Sequence, residues 1–468
     1  MDAMQIKQIF DRLHAKLVRQ QRECDAVDSW LRPELEAGFE VPRKATREHR
    51  ALRDLSRTPW LKLVVDNVVQ AMYVDSIVGD EGRIPQLWDL WNANGMRSQQ
   101  ISNHRAMVAY GHSYAVVTGA QRYGERSARI RFLSPRRVAV EFEDLGADPF
   151  PSAALELEGR RGDVTRYRLR VPGWEILLED GKSTGADMDG LVVSGQARVD
   201  LPYVPVVRFA NQLDLDGRVI GEVEPFIPSA QRINKTAYDR MLAQHFNSWK
   251  VKTATGLDMP EVLDEDGDGT GVVDEAKADE LKLKLDQADI LTGGHDVTFG
   301  TLDATALDPF VNGWRADIEA LAAVSQTPAH ALTGMIVNLS AEALAAARAP
   351  LTQKVYERQQ NASASYANVM RVAAKLAGHD ELSQNDMIRV TWQDMEVRSM
   401  AQAVDALGKA AQMLRIPARG LWGMIPTVEA SDVQEWERLS DEELERDPLA
   451  ASFARQAEST ISDVNNGG

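Results

Sequence analysis

From Ser340 to Ala377 the chain carries one unbroken helical stripe. Leu344, Leu351, Val355, Arg358, Ala362, Tyr366, Val369, Ala373 and Leu376 recur at steps of seven, four and three. Ser340 stands where it can cap the start, Glu342 lies in the first turn where the helix dipole favours a carboxylate, and Gly378 stands where it can end the helix. At about 1.5 Å per residue such a helix exceeds ~50 Å, longer than a small domain is wide. Pro350 has no N–H to donate and predicts a kink near the first third. A helix of this length with an Ala-rich start predicts packing against neighbours along its whole length, including neighbours in other subunits.

The rest of the chain must supply that packing. At 468 residues it is long enough for two to four packed units, or for one unit whose parts fold around partner subunits. Its 44% hydrophobic and 26% charged residues are ordinary for a folded soluble protein. A net charge of −17 argues against wrapping nucleic acid on a general basic surface, though not against letting it pass. Cys24 is the only cysteine, which excludes an intrachain disulfide and a multi-cysteine zinc site and fits a reducing compartment. No signal peptide and no window of roughly 18 apolar residues is present, so the chain reads as cytosolic at synthesis, without an anchor.

Ile6, Phe10, Leu13, Leu17, Cys24, Val27 and Leu31 form a second helical stripe before Pro33. Further helices are expected at about 60–73 and 97–110. Strand-like runs follow at 114–118, 130–133, 138–142, 165–171 and 174–178, with a turn at 179–182. These predict an α/β body with a mostly antiparallel sheet. Helix returns at 225–246, a strand at 249–255, an irregular acidic stretch at 256–300 with one helix at 275–288, and a helix ended by Thr327-Pro328. IRVTW after Gly378 reads as a strand, 399–414 as a helix, and the Gly-Gly end as disordered.

Three patterns invite a chemical reading. Gly111-His-Ser113-Tyr-Ala115 nearly matches a G-x-S-x-G nucleophile elbow, but the elbow needs a strand before the serine and a helix after it. Here the order is reversed, so Gly111 reads as a helix end leading into a buried strand, and a serine hydrolase using Ser113 is the weaker alternative. Asp264, Asp266, Asp268, Gly269 and Glu275 fit the spacing of an EF-hand calcium loop. Gly271 stands where that loop has a branched apolar residue and Pro260 interrupts the entering helix, so a solvated acidic loop is the favoured reading and a calcium-binding assembly module the alternative. Gly181-Lys-Ser-Thr lacks the first glycine of a phosphate loop. No histidine spacing suggests a metal site, and no cofactor and no catalytic residue is expected.

Four further patterns occur in order along the chain. LWNANGM at 90–96 holds a Trp-x-x-Asn pair, Trp91 and Asn94, followed after a helix by Gly111 and Tyr114 in Gly-x-x-Tyr. LPYVPVVRFAN at 201–211 carries a Pro-Val-x-x-Phe-x-Asn strand leading to a helix with Arg232 and Asn234. SQTPAHALTGMIVNLSAEAL at 325–344 joins a Thr-Pro segment to an Asn-x-Ser-x-Glu-Ala helix start. VTWQDMEVRSMAQAVDALGKAAQMLRIP at 390–417 has a Trp-x-Asp element and an Ala-rich helix. Together these resemble bacteriophage portal proteins, specifically the siphophage Gp6-like group.

The resemblance implies an α+β subunit of a ring, usually of twelve copies, at the unique capsid vertex of a virion assembled in the host cytoplasm. The ring would conduct double-stranded DNA during packaging and ejection and dock terminase, the major capsid or scaffold protein and a head–tail adaptor, with no membrane and no enzymatic activity. It implies an α/β wing at 1–224 and a helix leading into stem and clip at 225–313. A stem helix and tunnel loop would follow at 314–340, the long kinked helix and a return to the wing at 341–398, and crown and tail at 399–468. Thr333, Gly334, Met335, Ile336, Val337, Asn338 and Leu339 would form the DNA-channel loop, which lacks Lys and Arg. Twelve copies would carry on the order of −200 charges, repelling phosphate and not trapping it.

Overall fold

The structure is a computed structural model of the 468-residue chain. It describes residues 2–32, 39–41, 46–80, 82–181, 190–247, 252–255, 261–263, 269–273, 298–301, 305–335, 340–393, 400–425, 428 and 430–446.

Helix α1 (Ala3–Leu31) is capped by Asp2, which trades hydrogen bonds with Gln5, and buries Ile6, Phe10, Leu13, Leu17, Cys24 and Val27 as its spacing predicts. Two helices follow, α2 (Arg47–Ser56) and α3 (Trp60–Val69). α3 ends four residues before the expected boundary, because the β-branched run beyond it forms β1 (Val74–Gly79), which pairs with β2 (Gly82–Arg83). Proline at its first position starts α4 (Pro85–Ala93), and α5 (Met96–Tyr110) ends on Gly111 at φ +86°.

Gly111 turns the chain directly into β3 (His112–Arg122), which hairpins into β4 (Glu125–Leu133). Five more strands, β5 (Val138–Glu141), β6 (Ala153–Arg161), β7 (Val164–Val171), β8 (Trp174–Asp180) and β9 (Leu191–Arg198), form an antiparallel meander in sequence order. The turn expected at 179–182 begins later than predicted. Glu179 and Asp180 continue β8 opposite Arg166 and Thr165, and an Arg166–Glu179 ion pair of 2.9 Å bridges the two strands. β10 (Val206–Ala210) pairs with β3, giving a second sheet in the order β10-β3-β4. The short β11 (Gln212–Leu213) and β12 (Val219–Ile220) pair with each other.

Helix α6 (Ile227–Asn247) follows, then β13 (Lys252–Thr255), β14 (Glu261–Leu263), β15 (Gly269–Val273) and β16 (Thr298–Thr301). β13 pairs with β16, and β14 with β15. After α7 (Asp308–Val324) and the short α8 (Ala329–Thr333) comes α9 (Ala341–Ala377), capped by Ser340 and closed by Gly378 as expected. α9 runs through Pro350 as one helix. The chain ends with α10 (Asp380–Ser383), β17 (Arg389–Trp392), α11 (Met400–Leu414), α12 (Ala418–Leu421) and α13 (Ala430–Arg446). β17 pairs with β1 across more than 300 residues of sequence.

Contacts group the chain into two units: 1–37 with 59–227 and 322–468, and 38–58 with 228–321. The sequence boundaries kept 38–58 with the first unit; the contacts place it in the second. In the first unit, α1 lays Ile6, Phe10, Leu13 and Leu17 on Leu155, Leu169, Ile176 and Leu178 of the five-stranded sheet. Tyr114, Val116, Val140 and Val206 belong to a second core. In the second unit, Asp317 of α7 accepts from Arg232 at 2.7 Å and Thr236 at 3.2 Å, tying α7 to α6. Asn234 accepts from the Thr58 backbone.

Candidate functional site

The sequence motifs of the first unit meet in one polar and aromatic core. Trp91 is fully buried and packs 5.3 Å from Tyr366 of α9. Asn94, at the end of α4, donates to Ala128 O at 3.0 Å and accepts from Ile130 N at 2.9 Å. Its amide thus pairs with the free edge of β4 as a neighbouring strand would. Gly111 has no room for a side chain, since a Cβ there would sit 3.0 Å from Gly221 N at a φ that L-residues avoid. Tyr114 is buried, and burial pushes its hydroxyl up to about 12. The second and fourth motifs converge here too, because Asn361 of α9 donates to Asn211 O and Trp392 Nε1 donates to Ser363, also on α9.

Ser113 lies inside this core, 1% exposed, and donates to Asn103 Oδ1 at 2.6 Å. Asn103 faces the Tyr366 hydroxyl, which contacts His104 Nε2 at 2.9 Å, while His104 Nδ1 contacts Met72 O at 3.2 Å. Burial lowers the His104 imidazole to about 4, so it is neutral at pH 7. A carbonyl only accepts, so Nδ1 carries the proton and Nε2 accepts from Tyr366. The chain Ser113–Asn103–Tyr366–His104 is a satisfied structural network with its hydroxyls already committed. Among the described residues no base is placed to activate Ser113, and the strand follows Ser113 where a nucleophile elbow has a helix.

A buried charge cluster joins α9 to Glu222 and Ser325. Glu222 accepts from Lys354 Nζ at 2.7 Å and Arg358 Nη2 at 2.9 Å, all three being nearly fully buried. Asn211 adds a 3.2 Å bond to the same carboxylate. Burial opposes the charge on Glu222, but Lys354 and Arg358 outweigh it and hold the carboxyl below its ordinary range. Lys354 also donates to Ser325 O at 2.8 Å, just beyond the end of α7. Ser325 donates to Thr327 Oγ1 at 2.9 Å, and Thr327 N bonds to Ala322 O. The turn at Ser325–Thr327, ahead of α8, is therefore tied to α9 at Lys354. The sequence stripe placed Arg358 in line with apolar residues but gave no partner for it; a buried Lys and Arg one helical turn apart was the available signal.

Of the expected loop, Thr333 ends α8 with its hydroxyl on Ala329 O, Gly334 takes φ +68°, and Met335 is 56% exposed. Ile336, Val337, Asn338 and Leu339 lie outside the described residues, as do Asp264, Asp266, Asp268 and Glu275. β14, directly before Asp264, is a strand where an EF-hand has its entering helix, and it pairs with β15 inside the 264–275 segment itself. Among the described residues, no cluster of three or more metal-ligating side chains occurs.

A family model described as phage portal protein, SPP1 Gp6-like, matches residues 13–448. The chain belongs to that family. It is a portal subunit: part of the ring at the unique vertex of the phage capsid, a DNA conduit and not an enzyme. Among solved structures it is similar to a chain of the virion of a native gene transfer agent particle, with 12% identity, 84% of this chain and 98% of that chain covered, and a TM-score of 0.44. A chain from the neck of the native particle, computed with C12 symmetry, gives 11%, 81%, 96% and 0.42 in the same order. These likenesses are too distant to carry an argument. No curated protein matches the chain.

Proposed function

We propose that this portal protein lines its channel with residues 333–339 and assembles as a dodecamer. The observation that supports the reading is the Glu222–Lys354–Ser325 lock, which ties the chain ahead of the 333–339 segment to the long helix behind it, while Met335 stays exposed. A loop without Lys or Arg suits steric contact with passing DNA and not ion pairing. The start of α9 supports the ring: of residues 343–350 only Leu344 and Arg348 are even partly covered, and an isolated helix turn is not stable in water by itself. Neighbouring copies would supply the missing contacts, and Pro350 would kink α9 to follow the channel wall. The unit formed by 38–58 and 228–321 would supply stem and clip, residues after 399 the crown, and the ring would dock terminase, capsid or scaffold protein and a head–tail adaptor after assembly in the host cytoplasm.

Negative-stain images of the purified protein test assembly: rings with an axial hole are expected, and monomers under all assembly conditions would refute it. Met335→Lys or Val337→Lys tests the loop. Slower packaging or ejection is expected, and unchanged packaging and genome retention would remove the loop from the channel wall.

A further inference from the structure

The net charge of −17 conceals one strongly basic segment. Residues 120–137 hold six arginines against a single acidic residue, Glu125. Two of these arginines are engaged by carboxylates: Arg131 lies 3.0 Å from Glu156, and Arg136 pairs with Asp25 and Asp28. Arg122, Arg129 and Arg137 instead line a groove of about 580 Å³ along the free edge of β4, with no acidic residue in its wall. Arg122 lies 5.4 Å over the Tyr123 ring, and Arg137 donates to the carbonyls of Leu157 and Glu158. Among the described residues none of the three is ion-paired.

A free sheet edge ordinarily invites another strand. Here the Asn94 amide already occupies Ala128 O and Ile130 N, so strand addition is blocked at the middle of β4. The groove's larger apolar residues, Ile130, Phe132 and Leu133, are all covered to a large degree, which leaves nothing to anchor the side chains of a docking peptide. What the groove offers is guanidinium forks, with Gln121 and Ser127 as neutral donors. At about 0.15 M salt, charges more than ~8 Å away are largely screened, so an anion in the groove meets the local arginines and not the chain's net charge.

We propose that this groove binds the sugar–phosphate backbone of double-stranded DNA, without reading its sequence, as a second contact outside the channel. The choice of DNA over another polyanion rests on the portal reading, because the conduit brings duplex to this protein. Phosphate contacts of this kind position a duplex and carry no base information.

The test uses the full-length assembled protein and a fluorescent duplex of about 30 base pairs, with affinity followed by anisotropy from about 50 to 200 mM salt. The double substitution Arg122→Ala with Arg129→Ala is expected to weaken binding about 10–100-fold at low salt and to flatten the salt slope by about 2. The same charge change on α1, Arg12→Ala with Arg19→Ala, should leave both unchanged. Binding indifferent to Arg122 and Arg129 would overturn the proposal. So would a polyglutamate peptide of equal charge displacing the duplex at lower concentration than unlabelled duplex does, which would make the occupant an acidic protein segment. Negative-stain imaging of the same samples separates the two ideas: rings with no groove-dependent binding sink this inference alone, whereas wild-type protein that never forms rings sinks the assembly reading.

Discussion

Glu222→Gln removes one charge and almost no volume, and should be among the most damaging conservative changes in the first unit. The native carboxylate serves two cations on α9, Lys354 at 2.7 Å and Arg358 at 2.9 Å, and all three side chains are 3–4% exposed. Glutamine keeps a single acceptor oxygen. If that oxygen stays on Arg358 and Asn211, its NH₂ group faces the Lys354 ammonium, donor against donor. Lys354 is then left with Ser325 O and no counter-charge, and Arg358 keeps only Glu357, a 61% exposed carboxylate at 2.8 Å. Removing one partner of a buried pair costs about 3–5 kcal/mol, a large share of the roughly 5–15 kcal/mol that stabilises an ordinary domain. Urea unfolding followed by tryptophan fluorescence would read the loss. Adding Lys354→Met to Glu222→Gln should recover part of it, with a coupling of about 1–3 kcal/mol. The pH dependence has a fixed sign. The folded carboxyl is held below its ordinary value, so its contribution is complete above about pH 4.3 and is lost as pH falls through the lower folded value. The gap between wild type and Glu222→Gln should therefore be flat near neutrality and close in acid. A loss below about 1 kcal/mol, or strict additivity with Lys354→Met, would refute the reasoning that this cluster ties α9 to Ser325 and Glu222.

Gly111→Ala should destabilise by at least about 1–2 kcal/mol in thermal melts, because the new Cβ meets Gly221 N at 3.0 Å while the backbone stays left-handed; an unchanged melt would mean the α5–β3 turn relaxes freely. Asn94→Ala strips the amide from Ala128 O and Ile130 N and should cost about 1–3 kcal/mol. It should also raise light scattering on warming as the β4 edge becomes free to pair, and unchanged stability and scattering would show that the edge needs no cap. Ser113 should give no adduct with an active-site serine reagent detected by mass spectrometry, since its hydroxyl is buried and committed to Asn103; a stoichiometric adduct would revive the hydrolase alternative.

Periodicity made the long elements legible. α9 begins after Ser340 and ends at Gly378 as its stripe and caps require, and α1 buries the residues at the expected steps, because in both cases the signal is local. Element order alone also disposed of Ser113 as a nucleophile. What stayed hidden depends on partners far away in sequence. β1, just past the helix expected at 60–73, drew no assignment because the strand that completes it, β17, lies more than 300 residues on. α13 drew no helical expectation because its apolar positions, Val433, Trp436 and Leu439, are sparse, and the last two are exposed within the subunit. Asn94 was visible as half of a Trp-x-x-Asn pair, but its use as a substitute strand edge follows from where β4 falls in the sheet. The same distinction governs charge. A chain-wide total of −17 describes the long-range field that a ring would present to DNA, whereas the arginines of 120–137 act within a screening length. A conduit can thus be repulsive as a whole and adhesive at one groove, provided that the groove lies off the path along which the duplex must slide.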